Sequence, residues 1–235
     1  MTSWLKSREK PLQAVHLALG RAGYAKSYRL QHQLHALRCQ GKIPDTILTV
    51  VHDPVFTIGR SGSRANILVS PEVLTEEGIS VYEVERGGDI TYHGPGQLVV
   101  YPIIDLREQG RDLKRYIRNL EQAVIDCLEE LGIVGTRRPE FPGVWVDGQK
   151  IASIGVYVKH WVTLHGLALN VAVNKAHFGL INPCGMEIEV VSLNDLLEEA
   201  VSLKQAVAVL LSKMEPLFGW QFTKGEVKEF LQERT

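Results

Sequence analysis

Leu30, Leu34 and Leu37 recur at helical spacing and predict a helix over about 20–38, after a polar tail at 1–11. Ile47-Leu48-Thr49-Val50-Val51 reads as a buried strand. Pro54 punctuates it, and Val55-Phe56-Thr57-Ile58 continues in extended form. Val81, Tyr82 and Val84 predict a further strand that runs into Arg86-Gly87-Gly88. Leu98 to Ile104 is another, and Pro102, which has no ladder donor, places it at an edge or at a bulge. Leu113, Ile117, Leu120, Val124, Cys127, Leu128 and Leu131 share one helical face, with Asp112 as N-cap and Gly132 as terminator. Val144-Trp145-Val146 and Gln149-Lys150-Ile151 flank Asp147-Gly148, a two-residue hairpin signal that sets Trp145 opposite Lys150. Strands near 153–159 and 164–173 follow. Ser202 with Gln205, and Thr223 with Glu226, have capping-box spacing. Hairpins and helices without regular βαβ alternation predict an α+β fold, and no linker divides residues 1–235, so a single domain is expected.

Composition narrows the function classes. The 235 residues are 45% hydrophobic and 23% charged, with a net charge of −1. That balance does not suit a general nucleic-acid binder. The N-terminus lacks a signal-peptide apolar run, and no stretch approaches the roughly 18–20 apolar residues of a membrane span, so no membrane role is expected. The three cysteines are Cys39, Cys127 and Cys184, without a CxxC pair, which argues against a zinc or disulfide framework and for a reducing compartment. The expected location is cytoplasmic.

Candidate chemistry concentrates in three places. Cys127 sits on the apolar helix face and reads as packing; Cys39, near a helix end, reads as structural or incidental. Cys184 lies in Asn182-Pro183-Cys184-Gly185, outside any regular element. It is either a small residue in a packed loop or a nucleophile presented by a turn whose N–H groups, Gly185 included, face an oxyanion. A nucleophile there needs activation, because the thiolate is the attacking species. Lys150, beside Trp145 in an apolar block, is either a snorkelling lysine or that activator. The third place is Glu85-Arg86-Gly87-Gly88-Asp89-Ile90-Thr91-Tyr92-His93-Gly94-Pro95-Gly96-Gln97. Its glycines fit either close backbone approach to a ligand or a pair of tight turns. It matches neither a P-loop nor GxGxxG.

These blocks together resemble the lipoyl(octanoyl) transferase family. The resemblance covers about residues 19–197. It rests on Phe56-Thr57-Ile58-Gly59-Arg60, the segment 85–97, Gly143-Val144-Trp145, GQKIASIG at 148–155, HGLALN at 165–170, and INPCG at 181–185 followed by Ser192-Leu193. It implies a mixed sheet with packed helices and a smaller second sheet, similar to the catalytic core of biotin and lipoate protein ligases. It implies Cys184 as acyl-thioester nucleophile and Lys150 as its catalytic partner. It also implies an acyl-binding wall of Arg86, Gly87, Gly88, Asp89, Ile90, Thr91, Tyr92 and His93, with Ser153, Ile154 and Gly155, and Gly166, Leu167 and Ala168. Ile154 stands where other members often carry leucine, a conservative change.

The reaction so implied moves an octanoyl group from octanoyl-acyl carrier protein to a lysine of a lipoyl domain, without metal or cofactor. The implied acceptors are lipoyl domains of 2-oxoacid dehydrogenase complexes and the glycine cleavage H protein. His93 is expected to shape the pocket. Arg107, Arg111, Lys114, Arg115 and Arg118 form either a solvated helix face or a docking face for an acidic carrier. Competing readings are an ATP-dependent lipoate or biotin ligase on the same fold, a Cys-His hydrolase, and a non-enzymatic binding module.

Overall fold

The longest apolar runs become strands buried on both faces. The computed structural model describes residues 11–183 and 189–231. Within them, Leu98 and Val100 face one layer of the core while Val99, Tyr101 and Ile103 face the other. Such a strand has no polar face to give away its period. The strands are β1 (Leu12–Ala22), β2 (Asp45–His52), β3 (Val55–Ile58), β4 (Ser80–Glu83), β5 (Ile90–His93), β6 (Gln97–Ile103), β7 (Thr136–Arg138), β8 (Phe141–Val146), β9 (Gln149–Lys159), β10 (Val162–Asn170) and β11 (Trp220–Lys224). Eight of them form a mixed sheet in the order β11-β1-β2-β6-β10-β9-β8-β7, and β4-β3-β5 form a small second sheet. This is the expected α+β arrangement.

Helices cover both faces of the large sheet. On one side lie α3 (Leu113–Glu130) and α6 (Leu203–Phe218), which bury Leu120, Val124, Cys127 and Leu128 against Leu210 and Met214. On the other lies α1 (Tyr24–Cys39), through Leu30 and Leu34. The short helices are α2 (Pro71–Glu76), α4 (Lys175–Phe178), α5 (Leu193–Leu196) and α7 (Val227–Leu231). Asp112 caps α3 by accepting the Arg115 N–H, and Ser202 with Gln205 forms the expected capping box on α6. Among the described residues no helix is long and apolar enough to cross a membrane.

Three expectations are corrected. The first helix begins at Tyr24, because residues up to Ala22 belong to β1, whose apolar side chains point to both faces. Thr223 caps nothing: it lies in β11, paired parallel with Val15. Pro102 is in the middle of the large sheet. The ladder between β6 and β10 pairs Val100 with Leu167, and resumes where Thr163 N–H donates to Ile104 O. Between them the His165 N–H donates not to Pro102 O but to Gln31 Oε1, at 3.0 Å. The Pro102 carbonyl accepts instead from Thr163 Oγ1 at 2.6 Å, so both groups keep a partner where the ladder is interrupted.

Candidate active site

Asp147 and Gly148 both adopt positive φ (46° and 86°), the requirement of a type I′ hairpin turn. The turn fixes β8 against β9 so that Trp145 pairs with Lys150, as the sequence predicts. Lys150 Nζ lies 5.2 Å from the Trp145 ring centroid, a cation–π distance. Its stem runs beside Gly143, where a Cβ would come within 2.9 Å of Lys150 Cε and 2.5 Å of Ala152 O. Glycine at 143 is therefore the space that the lysine occupies.

The hairpin aims Lys150 into a cavity of about 480 Å³. The next residues of β9 supply one wall. Ser153, Ile154 and Gly155 are register partners of Ala168, Leu167 and Gly166 on β10, so two motifs distant in sequence form one surface. The Gly-rich segment supplies the facing wall, with the Gly87 N–H docked on Val156 O of β9. Gly155 allows this approach: a Cβ there would lie 3.0 Å from both Arg86 Cδ and Gly87 O. Leu113 and Ile117 of α3 add an apolar flank, and Pro183 reaches the cavity as well. Every wall residue implied by the resemblance lines this space except Tyr92. Alternation along β5 turns the Tyr92 ring the other way, onto Phe56 and Phe178, with its hydroxyl 2.8 Å from His177 Nδ1. Cys184 and Gly185 lie outside the described residues.

Burial sets the protonation of the polar wall. Arg86 is 7% exposed, and desolvation pulls it down to about 10, so it keeps its charge at neutral pH. It donates to Thr57 Oγ1 at 3.2 Å and to Gly87 O at 3.0 Å. Burial lowers His93 to about 3 and His52 to about 4, so both imidazoles are neutral. His93 is thus a poor base and serves as a fixed polar wall. Tyr101, whose phenol burial pushes well up, donates to His52 Nε2 at 2.8 Å, and His52 Nδ1–H donates to Ala22 O. Glu85 is drawn down to about 2: burial opposes ionisation, and the nearby His165 ring, with Nε2 3.4 Å from Oε1, and the Tyr28 hydroxyl, donating to Oε2 at 2.7 Å, outweigh it.

The other two cysteines are remote from this chemistry. Cys127 is fully buried and burial pushes its thiol up to about 12; Cys39 is also raised by burial. Neither is a ready thiolate. No group of three or more potential metal ligands occurs among the described residues.

Tyr24, Tyr101, His165, Leu113 and Ile117 also line the cavity and escape a sequence reading. Their spacing is that of core positions on α1, β6, β10 and α3, so only the fold reveals the second surface they serve.

Residues 23–215 match the model of the lipoyl protein ligase A/B catalytic domain. An octanoyltransferase of Syntrophobacter fumaroxidans is 46% identical over 212 residues, covering 89% of this chain and 93% of that protein. One from Solibacter usitatus is 49% identical over 175 residues, covering 74% and 80%. Among solved structures, a bipartite lipoate protein ligase of Thermoplasma acidophilum superposes with a TM-score of 0.72 at 16% identity, covering 94% of this chain and 89% of that one. At that identity the likeness concerns the fold.

Proposed function

We propose that this chain, which belongs to the lipoyl protein ligase A/B catalytic domain family and is an acyltransferase, carries an octanoyl group from octanoyl-acyl carrier protein to a lysine of lipoyl domains. The carried group passes through a thioester on Cys184. The observation that carries this reading is the placement of Lys150 and Pro183, the residue before Cys184, on one cavity whose remaining walls are largely apolar. The raised thiols of Cys39 and Cys127 support it further, since they leave Cys184 as the candidate nucleophile.

The Cys184 thiolate attacks the donor thioester carbonyl. A carbon–sulfur bond forms, the tetrahedral adduct collapses, and the carrier's phosphopantetheine sulfur leaves as the thiol, taking its proton from the Lys150 ammonium. The acceptor's neutral ε-amine then attacks the enzyme thioester. A carbon–nitrogen bond forms, the amine's proton passes to a base, and the Cys184 thiolate leaves. One thioester replaces another in the first step and an amide forms in the second, so no nucleotide is consumed. Lys150 fits two moments of this cycle. As an ammonium it favours the thiolate. Once the sulfur is acylated that partner charge is gone, and the lysine, deprotonated, accepts the proton of the incoming amine. It ends as the ammonium from which the cycle started. Arginine at 150 could not take the second part, because its pKa exceeds about 12.

The apolar wall suits an acyl chain. Each buried CH₂ is worth roughly 0.8 kcal/mol, so eight carbons supply both affinity and length discrimination. Acceptors on this reading are the lipoyl domains of 2-oxoacid dehydrogenase complexes and of the glycine cleavage H protein, in the cytoplasm. The test is transfer without nucleotide: octanoyl-carrier protein, a lipoyl domain and the enzyme, with the lipoyl domain weighed by mass spectrometry. One octanoyl addition at its lysine supports the proposal. A strict requirement for ATP would replace it with the ligase reading.

A further inference from the structure

We infer that Asn170 is a positioning residue that holds the Lys150 backbone in place; the inference rests on the reading of Lys150 given above. It starts from a gap in the sheet. The β9–β10 ladder ends at the pair Ala152–Leu169, and beyond it Lys150 changes partner. Lys150 N–H donates to Glu189 O at 2.8 Å, and Val191 N–H donates to Lys150 O at 3.1 Å. Segment 189–191 thus takes the place of β10 beside Lys150. Asn170 stands at the fork. Its Nδ2 donates to Lys150 O at 3.4 Å and to Val191 O at 3.2 Å, joining the two strands that have separated from its own.

The amide's orientation is determined, because both partners are carbonyls that can only accept. Its Oδ1 therefore faces Gln97 Nε2, at 3.0 Å, and Gln97 Nε2 is itself anchored as a donor by Tyr92 O. Gln97 Oε1 then accepts from His93 Nδ1 at 2.7 Å, and the bare His93 Nε2 faces Thr57 Oγ1 at 3.5 Å, which Arg86 holds from the other side. Every donor points the same way, from Arg86 to Lys150 O. Asn170, Gln97, His93 and Thr57 are all buried. One chain of bonds thus ties the polar wall of the cavity to the backbone of the lysine opposite. A network satisfied at each member rigidifies what it joins.

The test uses the alkylation rate of the enzyme by iodoacetamide as a function of pH, with Cys39→Ser and Cys127→Ala present throughout. Asn170→Asp keeps the shape and the acceptor toward Gln97 but loses both donated bonds; Asn170→Ser retains a single short donor. The inference expects a higher alkylation midpoint in N170D. It also expects acyl-enzyme formation on the order of 10–100-fold slower at unchanged donor KM, since a displacement near 1 Å has that effect. N170S should fall between N170D and wild type. Thermal melting separates geometry from folding: lost stability with an unmoved midpoint and rate would make Asn170 merely structural and overturn the inference. Should N170D not fold, N170S decides alone by the same readouts. Lys150→Ala keeps the two claims apart. If K150A does not move the midpoint, the ion-pair role of Lys150 is wrong; if K150A moves it and the Asn170 variants do not, only the present inference fails.

Discussion

Acid should destabilise this protein through His52, by an amount the structure allows one to work out. His52 is fully buried between Ala22 O and the Tyr101 hydroxyl, and burial lowers it from 6.5 to about 4. Its folded pKa lies below its unfolded one. Between the two values the unfolded chain binds more protons, so stability falls as pH falls through that window. From about pH 7 to 4.5 the loss from His52 alone is about 2–3 kcal/mol, a sizeable part of the roughly 5–15 kcal/mol of a typical domain. His52→Gln isolates this quantity. The glutamine amide can donate to Ala22 O and accept from Tyr101, but it does not titrate. Glu85, held near 2, and Asp45, pushed up by burial, titrate alike in both proteins and cancel in the difference. The assay is chemical denaturation at several pH values, followed by circular dichroism. Wild type should lead the variant at neutral pH and lose that lead by about 2–3 kcal/mol toward pH 4.5. Parallel stability curves over the whole range would refute the assignment of a buried, neutral His52.

Two further outcomes test the site and its surroundings. Gly143→Ala places a Cβ 2.9 Å from Lys150 Cε at a residue with φ 140°, so it should cost about 1–3 kcal/mol in stability and lower kcat more than it raises KM, as melting and steady-state rates would register. The first two turns of α3 carry Lys114, Arg115 and Arg118 and no acidic residue, against the helix dipole, and beside cavity-lining Leu113 and Ile117. Reversing Lys114 and Arg118 to glutamate should raise KM for the carrier-bound donor several-fold at low salt, and the difference should shrink as salt rises. An unchanged KM would leave these residues as a solvated face.

The elements with local signals were legible in the sequence. The α3 stripe with Asp112, the Ser202 capping box and the Asp147-Gly148 turn each depend on neighbours within a few positions, and the structure has them as expected. The misread elements are those whose partners are distant. β1 is apolar toward two helical layers at once, β11 is a five-residue strand whose ladder partner is β1 at the far end of the chain, and around Pro102 the interrupted ladder is completed by Gln31 from another element and by the Thr163 hydroxyl. The same division applies to the site. Linear blocks named Arg86 to His93, Ser153 to Gly155 and Gly166 to Ala168 together, and alternation along β5 removed Tyr92 from the wall. Asn170 ends one of those blocks, yet its task depends on where β10 and segment 189–191 part, which no local pattern records.

The central claim is the thioester on Cys184, and one measurement addresses it. The enzyme is mixed with octanoyl-carrier protein alone, without nucleotide or acceptor, quenched rapidly and weighed intact. The account predicts a gain of one octanoyl group, absent in Cys184→Ala and released by hydroxylamine. An unmodified enzyme at every quench time, or an adduct that persists in Cys184→Ala, would contradict it.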